Sequence, residues 1–282
     1  MNCKKILCID AGGTFFKYGV YRQDGERVTD VMQVPSRSDG SKEEILASYR
    51  RIILDVEEQV GFDAIGISTP GPFDYATGTS GMKHKYAAIY GVSLKEEFGA
   101  FTSKPVFFVS DTNAFLLGEY TGEVCKYQNV LGVTIGTGLG LSVIYGGALL
   151  KGPTGGVAEV IYNLPYGDGI AEDAVSARGI VATYGKEISA KEVAMAAFDG
   201  DRTAREVYCR MGVALGTVLK ESIKKYHAEL ILIGGQVAKS IELFGDAVEK
   251  TANIKVLPAR SFEEAALRGI SNEYFNYYGK SV

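Results

Sequence analysis

The sequence is poor in the residues that carry most metal and nucleophile chemistry. It has 4 cysteines, Cys3, Cys8, Cys125 and Cys209, and none falls in a C-x-x-C pair or other metal-ligand spacing. Free thiols of this kind suit a reducing compartment. Only 2 histidines, His84 and His227, are present, so a general base is sought among carboxylates. The G-x-S-x-G nucleophile elbow is absent as well. No apolar run approaches the ~18 to 20 residues of a membrane span. The basic residues do not cluster and the net charge is only −4, which argues against nucleic acid as the main partner. The opening MNCKKILCID has too short an apolar run before Asp10, and no small-residue cleavage site, for a signal peptide, so the reading predicts a cytoplasmic protein. No Pro/Ser-rich linker or low-complexity tract interrupts the chain.

What is present is a full core. With 46% hydrophobic residues over 282 positions, the chain exceeds the usual single-domain size of ~100 to 150 residues and predicts two lobes. The stretch around which the rest is organised is Ile6 to Val20. Apolar Ile6 to Ile9 end in a carboxylate, Asp10, then a Gly12-Gly13-Thr14 turn leads into a second strand through Lys17. Glycines there permit positive φ or close approach, and exposed amides with the Thr14 hydroxyl make a donor nest for phosphate; an ordinary hairpin turn is the alternative. Asp10 at the strand end suits Mg²⁺ held through water.

The same plan returns later. Asn129 to Ile135 runs into Gly136-Thr137-Gly138-Leu139-Gly140 and resumes as a strand, which suggests two similar α/β halves, each with a phosphate-binding turn. Between these hairpins the sequence predicts a helix from Ser41, with Glu44 completing a capping box, and a buried strand over Asp63 to Ser68. A long loop follows over Asp74 to Ser93. A strand over Pro105 to Ser110 then ends in a second carboxylate, Asp111, and a helix follows it. Beyond the second hairpin, helices are expected over Glu172 to Gly185, Ser189 to Phe198 and Thr203 to Tyr226. A core strand ends at Gly234-Gly235, a helix starts at Val237, a short strand covers Ile254 to Leu257, and a final helix spans Phe262 to Tyr277. Gly279-Lys280-Ser281 imitates the end of a P-loop, but Tyr274 stands where its first glycine belongs.

Taken together, Asp10-x-Gly12-Gly13-Thr14, Gly66-x-x-x-Pro70-Gly71, Ser110-Asp111-Thr112-Asn113, Gly136-Thr137-Gly138-x-Gly140, Ala158-Glu159 and Gly234-Gly235 resemble the ROK family of sugar kinases, in the family's order over nearly the whole chain. The resemblance implies an α/β protein of two ribonuclease-H-like lobes, the actin-like ATPase fold, with ATP and sugar in the interlobe cleft. The N-terminal lobe would cover 1–112 and the C-terminal lobe 113–261, with a terminal helix over 262–282 packing back on the first.

By the same resemblance Asp111 is the general base, with a helix N-cap as its alternative role. Asp10 orients Mg²⁺ through water, Gly12, Gly13 and Thr14 hold phosphates from one lobe, and Thr137 and Gly138 hold them from the other. Lys17 adds charge or is a solvated strand lysine, and Gly234 and Gly235 let the adenosine lie against the backbone or simply end a strand. Sugar recognition falls to Asp111, Asn113, Glu159 and Glu172, surface glutamates being the alternative for the last two. Tyr162 stands where the family usually has a sugar-contacting histidine, and Ser110 where it usually has asparagine.

No cysteine lies between Tyr166 and Ala171, where many members carry a zinc motif, so no structural zinc is expected and the zinc-free branch that includes β-glucoside kinases is the nearer match. The implied activity is ATP-dependent phosphorylation of a hexose or hexose derivative at the 6-hydroxyl, glucokinase-like or acting on an N-acylhexosamine or β-glucoside. The alternatives are a sugar-binding regulatory protein of the same fold, and an actin-like ATPase with an acyl or cofactor substrate. Homodimers are common in the family, though no patch of this sequence indicates one.

Overall fold

The computed structural model describes residues 4–261 and 264–278. It divides into two compact units, Met1–Glu119 with Lys151–Gly156 and Glu263–Val282, and Tyr120–Leu150 with Val157–Phe262. The first unit runs to Glu119 and so takes in the helix begun by Asp111. Phe262, Gly279-Lys280-Ser281 and Cys3 lie outside the described residues.

In the first unit, β1 (Lys5–Ala11) and β2 (Phe15–Arg22) form the antiparallel hairpin read from the sequence, and β3 (Met32–Pro35) extends it. Helix α1 (Lys42–Gln59) begins at Ser41 with the capping box to Glu44 that the spacing predicts. β4 (Ala64–Thr69) then pairs parallel with β1. The expected long loop contains the small hairpin of β5 (Phe73–Asp74) and β6 (Thr79–Ser80), and Ser93 caps the short α2 (Leu94–Phe98). β7 (Val106–Ser110) pairs parallel with β4 and runs directly into α3 (Asp111–Glu119). The sheet order is β3-β2-β1-β4-β7.

Both faces of this sheet are covered, which is why its central strands read as continuous apolar runs. Leu7, Ile9, Ile65 and Ile67 pack with α1 residues Tyr49, Ile52 and Ile53 on one face. Ile6, Cys8, Ala64 and Val109 pack with Ala114 of α3 and with Leu267 and Ile270 of the C-terminal helix Ala265–Glu273 on the other. Backbone contact between α3 and that helix is close: a Cβ on Gly118 would overlap the backbone of Ala265, and one on Gly269 the backbone of Ala114.

The second unit repeats the plan. β8 (Val130–Ile135) and β9 (Leu139–Tyr145) form a hairpin extended by β10 (Ala148–Leu149). A small ribbon of β11 (Pro165–Tyr166) and β12 (Gly169–Ile170) precedes α4 (Ala171–Ala174) and α5 (Ala177–Tyr184). The single helix expected over Glu172 to Gly185 is therefore two. Ser176 turns extended and its hydroxyl accepts the Gly179 N–H, starting a new helix where the pattern predicted continuity.

α6 (Ala190–Phe198) carries the second capping box, Ser189 with Glu192. α7 (Arg202–Val218) starts at Asp201, and α8 (Lys220–Tyr226) continues it past Leu219, whose backbone stays helical. β13 (Leu230–Gly234) pairs parallel with β8, and β14 (Val256–Pro258) with β13, giving the order β10-β9-β8-β13-β14. The helix expected from Val237 is a kinked 3-10 segment, followed by α9 (Gly245–Ala252). Among the described residues no helix is long and apolar enough to cross a membrane.

Candidate active site

In a parallel sheet, functional groups collect beyond the carboxyl ends of the strands, and the register of the first unit collects them there. Asp10 of β1 stands opposite Ser68 of β4, and Thr69 of β4 opposite Ser110 of β7, which leads into Asp111. The Ser68 hydroxyl donates to Asp10 Oδ1 at 2.5 Å. Burial raises the Asp10 carboxyl above its ordinary value, opposed by this hydrogen bond and by the charge of Lys17, its cross-strand partner.

The Gly12-Gly13-Thr14 turn is fixed through its carbonyls. Tyr86 Oη donates to Gly12 O at 2.5 Å, the Ser36 and Ser38 hydroxyls donate to Gly13 O at 2.9 and 2.5 Å, and the Ser36 N–H donates to Thr14 O at 2.9 Å. Because a trans peptide sets C=O and the following N–H in opposite directions, the amides of Gly13, Thr14 and Phe15 face away from these partners. Backbone amides left free of these partners are the kind of donor that can serve an anion. Neither glycine has positive φ. Gly12 is required by crowding, since a Cβ there would stand 2.8 Å from the Phe15 carbonyl oxygen.

Asp111 heads α3, and the Thr112 N–H donates to its Oδ1 at 2.7 Å. Its side chain keeps access to solvent, yet the protein mass around it raises its carboxyl, and the charge of Asp10 raises it further against the Thr112 hydrogen bond. A carboxylate lifted in this way is a better proton acceptor than a free aspartate. Asn113 is fully buried. Its Nδ2 donates to Gly156 O at 3.1 Å, and its Oδ1 has no partner among the described residues. Tyr75 closes this corner: its Oη donates to Thr69 O at 3.1 Å and its N–H donates to Thr154 O at 2.9 Å.

In the second unit the turn between β8 and β9 leaves Thr137 exposed at its tip. Glu172 braces it: Oε2 accepts the Leu139 N–H at 3.0 Å, and Oε1 accepts from Arg178 Nη2 at 2.9 Å. A Cβ on Gly138 would stand 2.7 Å from that same carboxylate. Gly235 has φ 88° and its Cα is pressed on the Ile135 backbone, so the end of β13 and the start of the turn are locked together. Gly234 needs no left-handed backbone.

Glu159 is also engaged by protein. Ser222 Oγ donates to Oε1 at 3.0 Å and Lys225 Nζ to Oε2 at 2.9 Å. Burial would raise its carboxyl, but hydrogen bonds from Lys225, Tyr226 and Ser222 leave it lowered. Tyr162 is exposed.

The first unit thus gathers Asp10, Gly12, Gly13, Thr14, Lys17, Asp111 and Asn113, and the second gathers Thr137, Gly138, Glu172, Gly234 and Gly235. Glu159 is held instead by Ser222 and Lys225, while Tyr162 meets that second group through its carbonyl, which accepts the Glu172 N–H at 2.9 Å. Sequence reasoning passed over Ser68, Tyr75, Ser36, Ser38 and Tyr86. Only Ser68 had a visible signal, its place at the end of a buried strand parallel to β1.

A model of the ROK family matches residues 6–268. The glucokinase of Thermotoga maritima is 29% identical over 88% of this chain and 87% of its own length. A β-glucoside kinase of Listeria innocua is 33% identical over 52% of this chain and 49% of its own. A ROK family glucokinase from Streptomyces griseus, solved with glucose and AMPPNP, superposes with a TM-score of 0.77 at 22% identity, covering 95% of this chain and 98% of that one. The two repeated sheets are those of the actin-like ATPase fold, and the chain belongs to the ROK family.

Proposed function

We infer that this protein is an ATP-dependent kinase of a hexose or hexose derivative, with the primary 6-hydroxyl as acceptor. The observation that carries this reading is the carboxylate of Asp111 at the head of α3, raised in affinity for a proton and in the same unit as the Gly12–Thr14 donor nest. Phosphoryl transfer needs alignment of acceptor and donor and stabilisation of charge on the phosphoryl oxygens. In this reading Asp111 takes the proton of the sugar hydroxyl as its oxygen bonds to the γ-phosphorus and the bond to the ADP oxygen breaks. The amides of Gly13 and Thr14 in the first unit, and the turn at Thr137 and Gly138 in the second, take phosphate oxygens.

Asn113 Oδ1, a buried acceptor without a partner among the described residues, suits a sugar hydroxyl. Glu172 acts on the nucleotide side in this reading, since Oε2 is held by the Leu139 N–H at the turn and Oε1 by Arg178 of α5. Asp10 with Ser68 is an oxygen-only set, which fits Mg²⁺ held through water. Bound there, the ion would neutralise phosphate charge. The free thiols of Cys8, Cys125 and Cys209 support a cytoplasmic setting.

A coupled ADP-release assay over glucose, mannose, N-acetylmannosamine, N-acetylglucosamine and a β-glucoside tests the activity, and sugar-dependent ADP formation is the expected result. Sugar-dependent thermal stabilisation without any ADP would instead mark a binding protein of the same fold. Gly138→Ala separates the roles of the second turn. Its methyl meets Glu172 and displaces the turn, so KM for ATP should rise about tenfold, corresponding to ~1 to 2 kcal/mol of overpacking, with KM for the sugar unchanged.

A further inference from the structure

Lys85, a cation at the first unit's phosphate turn, has no role in the mechanism above. Its stem lies across Gly13, so that a Cβ built on that glycine would stand 3.3 Å from Nζ and 3.4 Å from Cδ and Cε. Lys85 is exposed and has no ion-pair or hydrogen-bond partner among the described residues that would hold its side chain over backbone.

The next residue supplies the cause. Tyr86 is 1% exposed and has φ 55°, a left-handed conformation that residues other than glycine rarely adopt. Its Oη is bonded to Gly12 O at 2.5 Å, its N–H to Ser38 O at 3.0 Å, and its ring stacks on Phe16. The phenol is therefore tied to the same turn that Lys85 covers. Such local strain persists only where the surroundings over-determine it, and it gathers at functional sites. An anion seated on the Gly13 and Thr14 amides would meet the ammonium as well. A lysine ammonium is a compact charge suited to phosphate oxygens.

We propose that Lys85 is a phosphate-binding residue, laid over the Gly12–Thr14 turn by the left-handed Tyr86 so that its ammonium takes the terminal phosphoryl group of ATP. This rests on the kinase reading. A side chain at position 13 would press on the lysine stem and shift it from the turn.

The test is calorimetric binding of ATP and of adenosine to the full-length wild type, Lys85→Met and Lys85→Arg, without sugar. Loss of one charge-assisted contact should weaken ATP binding by Lys85→Met about tenfold or more, leave adenosine within twofold, and be largely restored in Lys85→Arg. Melting temperatures of all three should agree, because the side chain is exposed. If Lys85→Met binds ATP as the wild type does, or if ATP and adenosine weaken by the same factor, the role of Lys85 is overturned while the kinase reading stands. A wild type that binds adenosine but shows no gain from the triphosphate would overturn both.

Discussion

Asp111→Asn should lower kcat by ~10² to 10⁴-fold, the usual worth of a general base, with little change in KM for ATP or sugar. The substitution keeps the side chain's size and can still accept the Thr112 N–H through its amide oxygen, so α3 should start as before. Only the ability to receive a proton is lost. The protein mass around Asp111 raises its carboxyl, with the nearby charge of Asp10 adding to it. A group whose folded value lies above its unfolded value gives stability that is full at pH below the unfolded value and lost as pH rises through the folded one. Because the side chain keeps access to solvent, the cost of ionised Asp111 to the fold at neutral pH is small, and Asp111→Asn should melt close to the wild-type temperature.

Activity runs the other way with pH, because the base must be ionised to work. The acid limb of kcat/KM should lie above the range of an ordinary aspartate. A variant with unchanged kcat and a wild-type acid limb would remove Asp111 from the chemistry, whatever the fold.

How far the sequence carries depends on which physical constraint each residue answers to. The two hairpins and their parallel neighbours were legible because both sheet faces are buried, so strands such as Ile6 to Ile9 and Leu230 to Ile233 read as unbroken apolar runs ending at glycine or a carboxylate. The helices at Ser41 and Ser189 were legible because a capping box is a local device. The helix break at Ser176 was not, since a serine inside an apolar period serves equally as a cap or as a tolerated helical residue.

The same divide runs through the site. Asp10, Asp111 and the glycine turns are marked by position at strand ends. Tyr86 and Lys85 lie in a stretch without period, and their relation to Gly12 and Gly13 is a contact over more than seventy residues. Glu159 and Glu172 show a further limit. A motif can place a carboxylate, but the partners that occupy it, Ser222 and Lys225 for one and Leu139 and Arg178 for the other, come from the fold.

A large loss of stability is expected at a residue with no chemistry, Gly269. It lies where the C-terminal helix crosses α3, and a Cβ there would overlap the carbonyl of Ala114, as one on Gly118 would overlap that of Ala265. These are backbone atoms, so no rotamer change relieves the clash and the two helices must separate. Gly269→Ala should cost about 3 kcal/mol by overpacking, a fall of roughly 6 to 12 °C in melting temperature for a protein of this size. Gly269→Val should leave little soluble protein.

The consequence reaches the chemistry because α3 begins at Asp111. A displacement near 1 Å of a positioned group costs on the order of a hundredfold, so kcat of the folded Gly269→Ala enzyme should fall at least tenfold at temperatures well below its melting point. Ile52→Ala on α1, buried on the opposite face of the same sheet, is the control. It should lose a similar stability, ~2 to 5 kcal/mol, with kcat near the wild-type value. If the two variants lose activity equally at equal stability, α3 is not what fixes the catalytic carboxylate. If only Gly269→Ala loses it, the helix crossing behind the sheet sets the geometry in front of it.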